Sequence, residues 1–150
     1  MGRAAARLAK LVERPVTDAG LSLPQYRVLA YLCDGDAAAS ALADRLRVSP
    51  PSVTSLVDGL LARALVTRRH HDTGDRRRVS LAITAEGRRV LADADQAASD
   101  QLKEVAGLLG DAELTNQALE ALGLWQRALD AHRESRLAAK QAAAAKRSEP

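Results

Sequence analysis

Two short β-branched runs, Leu65-Val66-Thr67 and residues 79–83, interrupt a chain whose other apolar residues recur at the three-and-four spacing of an α-helix. In the second run Val79, Leu81 and Ile83 alternate with Ser80 and Ala82, as in a half-buried strand. Between the runs lies Arg68-Arg69-His70-His71-Asp72-Thr73-Gly74-Asp75-Arg76-Arg77-Arg78. Two runs this short and this close can pair only as a hairpin, here with a long and very basic tip. Like charges so close together repel, and such a hairpin holds best when it meets an anion. The rest of the chain must supply helices. Its apolar residues, 47% of the total, are mostly Ala, Leu and Val, with no Phe and one Trp. Small aliphatics of high helix propensity favour helices packed on helices. The expected fold is therefore mainly α with one two-stranded ribbon.

The helices follow in order. Residues 3–19 place Ala5, Leu8, Leu11 and Val12 on one face, and Pro15 is expected to bend or end that helix. After Gly20, Ser22 reads as an N-cap with Pro24 in the first turn, and Tyr26, Leu29, Ala30 and Cys33 recur at helical spacing. Asp34-Gly35-Asp36 closes this helix. A short helix over 38–46 turns Leu42 and Leu46 inward, and Arg47-Val48 turns the chain. Ser49 then caps a helix that opens on Pro50 and Pro51, where missing N–H groups cost nothing, with Val53, Leu56, Val57, Leu60 and Leu61 as its apolar stripe. Two short helices joined by a tight turn make a helix-turn-helix candidate. Beyond the hairpin, Thr84-Ala85-Glu86-Gly87 starts a helix to about Leu109, and Gly110-Asp111 breaks it. A last helix opens near Ala112, with Leu114, Ala118, Ala121, Leu122, Trp125 and Leu129 in steps of three or four. The Leu122, Trp125 and Leu129 stripe is too apolar to face water and must pack on its own chain or a partner. Residues 135–150 read as a flexible tail.

Charge marks out the middle of the chain. Between Ala41 and Arg89 ten arginines face five acids, a net of +5, whereas the whole chain carries +3, so the remainder sums to −2. A basic module between more neutral flanks fits a polyanion partner, although a solvated charged surface gives the same count. No apolar run reaches membrane-spanning length, and the N-terminus lacks a signal-peptide core, so a cytoplasmic protein is expected. The single cysteine, Cys33, allows no intrachain disulfide and, with Leu29 and Ala30 beside it, reads as a buried small hydrophobe rather than a redox sensor. His70 and His71 invite a zinc reading, yet adjacent strand residues point to opposite faces. No metal or cofactor is expected. Glycine-rich phosphate loops, paired-histidine metal motifs and nucleophile elbows are all missing, so the chain does not read as an enzyme.

Three stretches carry a resemblance: residues 21–29 (LSLPQYRVL), residues 49–58 (SPPSVTSLVD), and Asp75-Arg76-Arg77 followed at a set distance by Ile83-Thr84-Ala85-Glu86-Gly87. Together they resemble the MarR family (multiple antibiotic resistance regulators) over nearly the whole chain. The resemblance implies a winged helix-turn-helix with a two-stranded β-wing, flanked by N- and C-terminal dimerisation helices. Its parts would be 1–20, a dimerisation helix; 21–84, the DNA-binding region; 85–134, further dimerisation helices; and 135–150, the tail. It implies a homodimeric regulator, a repressor on a pseudo-palindromic site in double-stranded DNA, released by a small-molecule inducer. A nucleoid-associated binder of low specificity is the alternative. On this reading Ser49, Pro51, Ser52, Thr54 and Ser55 meet DNA at the start of the recognition helix, where the helix dipole favours phosphate. Arg77 enters a minor groove, Arg68, Arg69, Arg76 and Arg78 contact phosphates, and Asp75 orients a neighbouring arginine. Leu8, Leu11, Leu114, Leu122, Trp125 and Leu129 are assigned to the dimer. Ser55 stands where many members carry an arginine, which removes a usual guanine reader.

Overall fold

A computed structural model describes the backbone of residues 1–73 and 76–146; the side chains of 71–73, 76–78, 133, 137 and 140–146 lie outside the description. The elements run α1 (Gly2–Asp18), α2 (Leu23–Cys33), α3 (Ala39–Leu46), α4 (Pro50–Ala62), β1 (Val66–Thr73), β2 (Arg76–Ile83), α5 (Ala85–Gly107) and α6 (Ala112–Lys146). They divide into two compact units, Met1–Gln101 and Leu102–Pro150.

In the first unit, local chemistry sets several of the helix boundaries. The Ser22 side chain accepts from the Gln25 N–H while the Gln25 side chain accepts from the Ser22 N–H, a complete capping box for α2. Gly20, at φ 85°, makes the turn into it, and Arg63 at the end of α4 donates to the Gly20 carbonyl at 2.6 Å. Arg47 (φ 55°) takes the left-handed conformation that ends α3, and Ser49 caps α4 ahead of Pro50 and Pro51. One core joins these elements: Val16, Leu21, Val28, Leu29, Leu32, Leu42, Val53 and Leu60 are essentially inaccessible, with Leu65, Val66, Leu81, Ile83, Leu91 and Ala94 closing it from the far side.

The start of α5 is built around contact too close for a side chain. A Cβ on Gly87 would stand 2.1 Å from the Leu65 carbonyl oxygen. Thr84 ties the same corner, donating to the Ala64 carbonyl at 2.8 Å and accepting from the Gly87 N–H at 3.0 Å. Further along, the Tyr26 hydroxyl donates to Asp95 Oδ1, joining α2 to α5. Burial first, and the Asp95 carboxylate second, push the phenol well above its ordinary range.

Several expectations are corrected. Pro15 does not end α1, because it sits in the last turn and forfeits one hydrogen bond there, while the Ala19 N–H still reaches the Pro15 carbonyl at 3.0 Å. The strands are much longer than the β-branched runs. Once the hairpin forms, its ladder carries the arginines and histidines along whatever their propensity, so strand pairing runs out to Thr73 and Arg76 through most of the expected tip. Cys33 is exposed, not buried; the inward residues of α2 are Val28, Leu29 and Leu32. The helix of the second unit continues through the expected tail to Lys146, in keeping with the high helix propensity of its alanines.

The second unit holds the end of α5, a turn through Gly110 (φ 70°) and α6. Asp111 caps α6, its carboxylate accepting from the Leu114 N–H at 2.8 Å. Ala118, Leu119, Ala121 and Leu122 are half-buried, while Leu114, Leu124, Trp125 and Leu129 are all at least 50% exposed. In the first unit Leu8 is likewise exposed and Leu11 half-buried. No helix among the described residues is long and apolar enough to cross a membrane.

Candidate nucleic-acid interface

Helix α4 has one face that the fold needs and one that it leaves free. Val53, Val57 and Leu60 enter the core, and that phase turns Pro51, Ser52, Thr54, Ser55 and Asp58 outward, all exposed together with Ser49. Every DNA-binding residue assigned to this helix therefore lies on one accessible surface at the positive end of its dipole. Their hydroxyls are not equivalent. Ser49 Oγ accepts from the Ser52 N–H at 3.4 Å and stands 2.8 Å from Ser52 Oγ, and Thr54 Oγ1 donates to the Pro50 carbonyl at 3.1 Å. Ser55 makes no side-chain hydrogen bond among the described residues. Its hydroxyl is the one left to meet a ligand without giving up a partner.

The hairpin stands beside this helix. β1 and β2 pair antiparallel over eight rows, from Val66 opposite Ile83 to Thr73 opposite Arg76. At about 3.3 Å per residue the ribbon is about 25 Å long. Its base is anchored twice: Val66, Leu81 and Ile83 are buried, and Leu81 exchanges both backbone hydrogen bonds with Ala37, at 2.8 and 3.0 Å. That bridge escaped the sequence reading, since a single alanine in a loop carries no strand signal. The outer rows bring Arg76, Arg77 and Arg78 onto β2, with Asp72 the register partner of Arg77. The assignment of Asp75 as the orienting acid lies outside the described residues.

Arg68 and Arg69 have partners that the sequence did not announce. Arg69 Nη1 lies 3.1 and 3.4 Å from the two carboxylate oxygens of Asp36, and Arg68 Nη2 lies 3.7 Å from Asp58 Oδ1 on α4. Both acids are remote in sequence, so only the folded chain brings them to the wing. His70 is exposed, the side chain of His71 is not described, and no cluster of three or more potential ligands for a metal ion occurs among the described residues. Cys33 has the Arg88 guanidinium 3.6 Å from its sulfur, at the opposite end of α2 from Ser22.

Residues 19–78 match a family model described as the MarR family. A curated relative, the HTH-type transcriptional repressor YetL of Bacillus subtilis (strain 168), is 33% identical over 85 residues, which are 55% of this chain and 50% of that protein. The chain thus spans about half the length of the curated relative that it matches. Among solved structures, a MarR-family transcriptional regulator from Rhodococcus sp. RHA1 is similar at a TM-score of 0.61 and 25% identity, over 81% of this chain and 85% of that one. Wild-type MarR from E. coli in its apo form is similar at 0.66 and 19%, over 86% and 96%. RV1404 from Mycobacterium tuberculosis is similar at 0.64 and 24%, over 84% and 87%.

Proposed function

We propose that this chain, whose residues 19–78 match a MarR-family model, is a homodimeric, cytoplasmic regulator of transcription that binds a pseudo-palindromic site in double-stranded DNA. It acts as a repressor and is released by a small-molecule ligand. The observation that carries this reading is the free face of α4, lined with small hydroxyl side chains at a capped helix N-terminus and flanked by an arginine-bearing hairpin on the same scaffold. A helix of this kind fits the major groove, and small residues let its backbone approach closely. Ser49, Pro51, Ser52, Thr54 and Ser55 line the contact. Arg77 enters the adjacent minor groove, Arg76 and Arg78 meet phosphates, and Asp75 orients a neighbouring arginine.

Dimerisation rests on the apolar residues left uncovered within one chain. Leu8, Leu114, Trp125 and Leu129 are exposed, and a second copy would bury them with Leu11 and Leu122. Repression is supported by the name of the Bacillus relative, and ligand release by the likeness to the family. Genome-wide mapping of bound sites in the source organism tests the reading: discrete two-fold symmetric sites in promoters are expected, and their absence overturns it.

A second reading, a nucleoid-associated binder of low specificity, is favoured by one observation. The exposed face of α4 and its cap offer short hydroxyls, three of the four engaged locally, and no long bidentate donor. Even coverage of the genome, with no preferred sites, would be its signature.

A further inference from the structure

Arg68 and Arg69 are neighbours on β1 and so leave the strand on opposite sides. Each meets a carboxylate from a different part of the helix-turn-helix. Asp36, in the loop before α3, holds Arg69 through both carboxylate oxygens and is itself only 26% exposed; Asp58, on α4, stands beside Arg68. We propose that Asp36 and Asp58 set the specificity of DNA binding by occupying the wing-base arginines, which keeps those cations from becoming sequence-independent phosphate contacts. The proposal rests on the DNA-binding reading above.

An arginine that reaches a phosphate releases counterions and strengthens binding to any sequence alike. An arginine already neutralised by a carboxylate gains far less, because the exchange strands the carboxylate beside the DNA. Asp58 makes this plain. It lies three residues after Ser55 and four after Thr54, on the same exposed face of α4. A bare carboxylate there would repel the phosphates that α4 approaches, and Arg68 cancels that charge. Asp36 acts from the other side of the ribbon, next to the Ala37 bridge. Affinity is thereby left to α4 and the outer wing, the parts placed to distinguish sequences or groove shape.

The test measures affinity for a mixed-sequence duplex by fluorescence anisotropy over a range of salt, for the intact chain and for Asp36→Asn, Asp58→Asn and the double variants Asp36→Asn/Arg69→Gln and Asp58→Asn/Arg68→Gln. Each single variant is expected to bind mixed sequence several-fold more tightly, with a plot of log K against log salt steeper by about 0.9 per freed arginine. Each double variant is expected to return to the parent slope. A folded Asp36→Asn chain with the parent's slope, or a steepening that survives in its double variant, overturns the inference while leaving duplex binding intact. Asp58→Asn, read in the same way, decides the matter if the Asp36 loop does not fold with asparagine. A parent chain whose affinity ignores salt defeats the proposed function as well as this inference, so the two failures are distinguishable.

Discussion

Gly87 is a residue whose identity the fold dictates by distance. With the Leu65 carbonyl 2.1 Å from where a Cβ would stand, and backbone rather than a flexible side chain in the way, Gly87→Ala must push the start of α5 off the hairpin. We expect a loss of about 1–3 kcal/mol in urea unfolding, the usual cost of overpacking a tight site. Tyr26 tests a different term. Its phenol is held protonated by burial and by Asp95, so the folded chain keeps that proton at pH values where the unfolded chain has lost it. The stability this contributes is fully present below the ordinary tyrosine pKa of about 10 and is lost as pH rises above it. Tyr26→Phe should cost about 1.5–3 kcal/mol near neutrality for a hydrogen bond to a charged group, and should flatten the alkaline limb of the stability profile. Cys33 shows how a one-residue error of helical phase changes chemistry. As the exposed thiol it is, it should react with Ellman's reagent in the native protein, whereas a buried thiol would stay silent until denaturant is added.

At the scale of elements, α4 carries the sharpest expectation. Ser55→Glu adds a carboxylate to the free face without touching Val53, Val57 or Leu60. Duplex binding should fall below detection in electrophoretic mobility shifts while circular dichroism keeps the parent's helical signal. Retained binding would move the DNA-reading surface elsewhere. This element was legible in the sequence because its signals are local: a serine, two prolines and an apolar stripe of period 3.6 mark its start, direction and inward side. The Ser22 N-cap of α2 was legible for the same reason, although the reciprocal half of its capping box, from Gln25, was not read. What could not be read depends on contacts between distant segments. Nothing near Arg68 or Arg69 announces Asp58 or Asp36, and no property of Ala37 announces a bridge to Leu81. The hairpin fell between these cases. Its apolar base was visible as alternation, but its outer rows follow from backbone pairing, which strongly basic side chains conceal.

For the molecule as a whole, the uncovered apolar residues of α6 carry the expectation. A chain ending before Ala112 loses Leu114, Trp125 and Leu129 together and, on the proposed dimeric reading, should sediment as a monomer or aggregate, with duplex affinity much reduced because one particle would no longer hold two half-sites. A truncated chain that remains dimeric and binds like the parent would refute the assignment of these residues. The Ala37–Leu81 bridge has a consequence for how the parts move. Since a strand residue directs its N–H and C=O to the same side, the Leu81 amide is satisfied by Ala37 alone and has no share in the β1–β2 ladder. Its exchange with deuterium therefore reports the ribbon lifting away from the loop before α3, whereas amides within the ladder report the ribbon itself coming apart. Two neighbouring hydrogens in one strand can thus time two different openings, and a bound duplex that clamps the ribbon should slow the first whether or not it changes the second.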